Sequence, residues 1–159
     1  MSARPLKRAR GGGGRVQRPI DKELKVINKE AIAGSQVATV LKTTTFPGTV
    51  VGLRWSMQAV QDAGTANSQL VWAIIVRQDG NAAGALAVSD AADMYTPEQD
   101  VLAFGCAVSS GLDQTDTVFE GTTKTMRKLK QGDILEWIVL AEATNTWAMF
   151  GVVQFFFKT

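Results

Sequence analysis

Histidine is absent from all 159 residues. Its absence removes the commonest general base, the Ser-His and Cys-His nucleophile pairs, and the zinc sites that depend on imidazole. No catalytic site and no cofactor are expected. A single cysteine rules out an internal disulfide framework. Cys106 lies in the apolar stretch "VLAFGCAV", which lacks the basic neighbours that activate a thiol, so a buried, inert side chain is expected there. No apolar run reaches the ~18 residues of a spanning helix, and the N-terminal segment has neither the apolar core nor the cleavage site of a secretory signal. Membrane insertion is therefore not expected. Nothing keeps a 3.6-residue apolar period for three turns, which leaves little room for helices.

What the chain does hold is a series of short apolar or alternating segments punctuated by Gly, Pro, Asn and Asp. Eight read as strands: 23–32, 36–45, 49–60, 69–78, 101–108, 117–129, 133–143 and 148–158. In the third, Val51, Leu53, Trp55, Met57 and Ala59 fall on one face and Gly52, Arg54, Ser56 and Gln58 on the other, so one face enters a core. Turns are expected at "FPG" (46–48), "QDAGTANS" (61–68), "SSGLDQTD" (109–116), "KQGD" (130–133) and "ATNTW" (143–147). The one long connection, 79–100, contains "ALAVSDAADMY", which could hold a short helical turn. Eight strands suit an all-β, single eight-stranded jelly roll of two packed four-stranded antiparallel sheets, whereas a closed oligonucleotide-binding barrel wants about five. Trp55, Trp72 and Trp137 sit among apolar strand neighbours and are expected in the core. Trp147, beside "ATNT", is expected at a turn or subunit contact, so that Trp147→Ala spares the fold.

Charge divides the chain in two. Residues 1–20 read as a basic disordered arm and 21–159 as the jelly-roll domain. Arg4, Lys7, Arg8, Arg10, Arg15 and Arg18 put six positive charges and no negative ones into the first eighteen residues, around four consecutive glycines that act as a spacer. The remainder holds 11 of the 17 basic residues against 15 acidic ones, so a polyanionic partner is a partner of the arm. Five of the six arm cations are arginine, whose guanidinium suits phosphate oxygens, and the arm has no aromatic side chain on which bases could stack. Backbone binding with little base preference follows. "KRAR" also fits recognition by a nuclear import receptor, and a mere solubility tail is the plain alternative. A second basic group, Lys124, Arg127, Lys128 and Lys130, runs along the sixth strand into "KQGD"; a charged edge that resists strand addition explains it as well as nucleic acid does. Asp90, Asp93, Glu98 and Asp100 cluster in the long connection. An ordinary solvated loop accounts for them, calcium ligation at a subunit contact is the alternative, and a paired-carboxylate acid/base site is the remoter one.

An Arg-rich arm followed by one jelly roll, with "FPGTVVGLRWSMQ", "YTPEQDVLAFG", "TKTMRKLKQGD" and a last strand "GVVQFFFK", resembles the capsid proteins of small circular Rep-encoding single-stranded DNA viruses, the circovirus-like group. The resemblance runs almost end to end, although this chain is shorter and its arm weaker than is typical. It implies a virion shell of about sixty copies, the simplest icosahedral count, with arms turned inward onto a single-stranded genome and assembly in the host nucleus. Six charges on each of about sixty copies would neutralise about 360 phosphates, fewer than the about 480 nucleotides that encode this chain alone. Body lysines or small cations must supply the rest. A cellular β-barrel nucleic-acid-binding protein or chaperone, acting as a monomer or small ring, is the alternative class.

Overall fold

A computed structural model describes residues 19–62, 68–80, 100–109, 116–142 and 146–159. All eight expected strands form: β1 (Ile20–Ile32), β2 (Val37–Thr43), β3 (Gly48–Asp62), β4 (Gln69–Arg77), β5 (Asp100–Val108), β6 (Asp116–Leu129), β7 (Ile134–Ala141) and β8 (Thr146–Lys158). They make two four-stranded sheets, ordered β1-β8-β3-β6 and β2-β7-β4-β5, with every neighbouring pair antiparallel. The chain thus pairs first strand with last, second with seventh, third with sixth and fourth with fifth, which is the winding of a jelly roll. The helical turn considered within 79–100 lies outside the described residues, as do three of the five turns in whole or in part.

Alternation decides which side chains meet between the sheets. Leu53, Met57 and Ala59 of β3 join Val153, Phe155 and Phe157 of β8, Trp72 and Ile74 of β4, and Leu135 and Trp137 of β7 in one buried cluster to which all eight strands contribute. Two expectations change here. Against β8, β3 carries an extra residue between Val50 and Gly52, and this bulge reverses the alternation, so Val50 rather than Val51 is buried. Trp147 is not at a turn but fully buried, paired with Ile32 and Gln61 in the sheet. β8 starts two residues earlier than the turn-like "ATNTW" suggests, and counting back in twos from Phe157, Phe155 and Val153 lands on Trp147.

Trp72 and Trp137 are buried as expected, and Trp55 is half-buried at the margin of the core. Trp55 and Trp72 meet edge to face at 6.2 Å, and Trp72 meets Phe119 the same way at 5.5 Å. Each of the two indoles lies over a glycine of the edge strand beside it. A Cβ on Gly121 would overlap the Trp55 ring, and one on Gly105 would lie 2.7 Å from Trp72 Nε1. The missing side chains at Gly105 and Gly121 are therefore the spaces into which the rings pack.

The far face of the second sheet departs from simple alternation. Val71, Ala73, Ile75 and Ile138 form a second buried cluster there, with Val101 and Leu140 against it, so β4 and β7 are buried on both faces. The continuous apolar run "LVWAIIV" reflects this two-sided burial. Buried Glu136 shares that face and is held by Arg77, Nε to Oε2 at 3.3 Å. Cys106 also faces outward, but from the edge strand β5, and is exposed rather than buried, because Ala103 and Ala107 take the inward positions.

At the end of the sandwich where β6 turns into β7, Asp133 ties three segments together. Its buried carboxylate accepts the backbone N–H of Lys130 at 2.8 Å and that of Asp79 at 3.2 Å, while its carbonyl accepts the Thr44 N–H at 2.9 Å. Gly132 supplies the positive φ of 92° that the "KQGD" turn requires. Across the open side between β1 and β2, Glu23 joins the sheets by pairing with Lys42, whose ammonium also lies 4.8 Å from the Phe157 ring centre, and it pairs with Lys25 at 2.7 Å. Burial pushes the Glu23 carboxyl up, but the hydrogen bonds and positive charges of Lys25 and Lys42 outweigh it and leave the group below the ordinary carboxylate value.

Candidate nucleic-acid interface

Residues 1–18, and with them Arg4, Lys7, Arg8, Arg10, Arg15 and Arg18, lie outside the described residues. The point at which that segment joins the body is described. Ile20 opens β1 and pairs with Lys158 of β8, and the same row continues through Thr49 of β3 to Lys128 of β6. The basic group predicted at 124–130 is split between strand faces. Lys124 and Lys128 stand on the outward face of β6 and Arg127 has the opposite parity, half-buried, yet Arg127, Lys128 and Lys130 line one depression with Gln78, Asp79, Gln131 and Asp133, and only Lys124 stands apart from it. Lys130 is exposed on the turn itself.

The pairing registers bring further cations beside Lys124 and Lys128 that a linear reading does not group. Successive rows across the outward face of the first sheet read Ile20, Lys158, Thr49, Lys128; then Lys22, Phe156, Gly52, Lys124; then Leu24, Gln154, Arg54, Thr122. Three rows therefore carry five cations and no Asp or Glu. None of the five forms an ion pair among the described residues. Of the nearest acids on the same strands, Glu23 faces the opposite side of β1 with Lys25 and Lys42, exposed Asp21 has the same opposite parity between Ile20 and Lys22, and Glu120 lies one row further along, accepting a 3.2 Å hydrogen bond from the Ser56 hydroxyl. With rows ~6.8 Å apart along the strands and strands ~4.8 Å apart, the basic area is about 14 Å on a side.

Phe156 sits near the centre of this area. It is the outward residue between buried Phe155 and Phe157 on the central strand β8, flanked by Lys22 on one side and by Gly52, then Lys124, on the other. A Cβ on Gly52 would touch the ring at 3.8 Å, so the ring leans over the bare backbone of β3. Exposed Leu24 and Ile20 border the same area.

Of the proposed metal ligands, Asp90, Asp93 and Glu98 lie outside the described residues, and Asp100 opens β5 opposite Val76. Among the described residues, no three His, Cys, Asp or Glu side chains converge on a point that could hold a metal ion, and no helix is long and apolar enough to cross a membrane. Lys22, Arg54, Phe156 and Lys158 were not singled out by sequence. Their only signal is strand parity combined with strand order, and the order cannot be read from one sequence.

No family model and no curated protein matches the chain. Among solved structures it is similar to one of the infectious bursal disease virus Gx strain, with a TM-score of 0.43 and 10% identity over 96% of this chain and 37% of that one. A crystal structure of the infectious bursal disease virus VP2 subviral particle gives a TM-score of 0.36 and 9% identity, covering 89% and 33% of the two chains. The Bacillus endospore appendages, a family of disulfide-linked pili, give a TM-score of 0.36 and 12% identity, covering 98% and 100%. The chain thus spans little more than a third of the viral chains it resembles. Its own strand order and register define it as a jelly-roll domain.

Proposed function

We propose that this chain is a virion coat protein that closes into a small icosahedral shell and packages a single-stranded genome, DNA by its resemblance to circovirus-like capsid proteins. The observation that carries the proposal is the basic area, three outward rows with five cations and no Asp or Glu in them, at the end of the first sheet where the Arg-rich segment enters β1. In sequence the six arm cations directly precede β1, whose Ile20 and Lys22 border and join this area. The area adds five charges per copy, so eleven per copy over about sixty copies would neutralise about 660 phosphates, enough to exceed the coding length of the chain. In this reading the arm engages phosphate without regard to base, and "KRAR" is read by an import receptor before assembly in the host nucleus.

Expressed full-length protein is compared with residues 19–159 by size exclusion, negative-stain microscopy and the ratio of absorbance at 260 and 280 nm. Uniform shells that carry nuclease-protected nucleic acid, and that lose most of it when residues 1–18 are removed, are expected. A species near the monomer at all concentrations would favour the cellular nucleic-acid-binding alternative, and equal nucleic-acid content with and without residues 1–18 would refute the packaging role of the arm. Digesting the recovered nucleic acid with DNase or RNase identifies its sugar.

A further inference from the structure

We infer that the basic area is a site for unpaired bases as well as phosphates, with Phe156 as the platform on which one base of a single strand stacks. The inference rests on the nucleic-acid reading above and adds to it a contact that the arm, lacking aromatics, cannot make. An aromatic ring on the outward face of a central strand is held rigidly from both sides, here by β1 and β3. Lys22 stands one strand from that ring and Lys124 two strands from it on the other side, and Lys158, Lys128 and Arg54 occupy the rows immediately above and below. A strand whose phosphates follow the lysines presents its bases toward the sheet at the level of Phe156. The half-buried ring leans over Gly52, whose backbone it helps to bury, so one side of the ring is covered by β3 and a base reaches it from the other. A duplex keeps its bases stacked on one another and cannot use the platform, so single strands are the ligand class. Stacking on one ring changes affinity by about five- to 150-fold and is indifferent to base identity because every base has a π-face.

The test separates base from phosphate. Full-length protein freed of nucleic acid is mixed with two fluorescent oligonucleotides of equal length, one of thymidine and one abasic, and retention on nitrocellulose is compared. Wild type should retain the thymidine strand about five- to 150-fold better. Phe156→Leu should bring that ratio close to one while leaving abasic retention unchanged, and the double variant Lys22→Gln, Lys124→Gln should weaken both strands together and keep the ratio. A wild-type ratio of one, or a ratio that survives Phe156→Leu, overturns the platform while leaving the polyanion reading intact. Failure to retain either strand overturns both. Should Phe156→Leu prove insoluble, wild-type protein irradiated with a 5-bromodeoxyuridine strand decides the matter: an adduct on the peptide containing Phe156 supports the platform, and adducts confined to other peptides overturn it.

Discussion

Trp147→Ala distinguishes the observed β8 from the one that its neighbours suggest. The side chain is 0% exposed, belongs to the central cluster, and stands in the sheet between Ile32 of β1 and Gln61 of β3. Truncating a fully buried tryptophan costs about 3–5 kcal/mol, because the lost contacts are compounded by a cavity that β-sheet neighbours on two sides cannot collapse to fill. That is about a fifth or more of the roughly 5–15 kcal/mol typical of a domain, and at roughly 2–4 °C per kcal/mol the midpoint should fall by roughly 6–20 °C. Half-buried Trp55 gives the internal scale: Trp55→Ala should cost about 2 kcal/mol, visibly less than Trp147→Ala. Thermal and urea unfolding followed by far-ultraviolet circular dichroism measure both, with exposed Thr146→Ala as the neutral control. A Trp147→Ala protein whose midpoint lies within about 2 °C of wild type would place the indole outside the core and refute the register of β8.

Two other perturbations probe local features. Gly121→Ala puts a methyl into the ring of Trp55 and should destabilise by about 1–3 kcal/mol while altering the near-ultraviolet dichroism of the Trp55–Trp72 pair; an unchanged tryptophan spectrum would contradict the packing of that pair over β6. Glu23 has a folded pKa below its ordinary value of 4.5, so its contribution to stability is present above that value and disappears as pH falls through the lowered one. Wild type should therefore exceed Glu23→Gln in stability near neutral pH, with the two curves converging in acid; a gap independent of pH would show that charge is not its basis.

Strand existence was legible throughout, because each strand is bounded by turn residues and carries either alternation or a short apolar run. Which face each strand presents was less so. The bulge at Val51 reverses the alternation of β3 without any mark in composition, and Cys106 looked buried because apolar "VLAFGCAV" belongs to an edge strand whose outward row is itself apolar, with Phe104 and Val108 exposed. The basic site was read in part. Lys124 and Lys128 are four residues apart on one face of β6 and form part of a linear cluster, but Arg127 within that cluster has the opposite parity. Lys22 and Lys124 are 102 positions apart in the chain and flank one ring only because β8 inserts between β1 and β3.

That insertion governs the order of events on a ribosome. β1 and β3 are synthesised early but cannot pair with each other, since the strand that belongs between them is β8, which starts at Thr146. At ordinary translation rates of 5–20 residues per second, the roughly 85 residues that separate β3 from β8 take about 4–17 s to appear. Throughout that interval the inner face of β3 and the edges of two strands stay open to other nascent chains, and with only β4 and β5 pairing as chain neighbours, closure depends on non-local, slow encounters. Yield in a cell should therefore depend on how long trigger-factor-like holding activity can shield a half-made sheet, and slowing synthesis should harm this chain rather than help it.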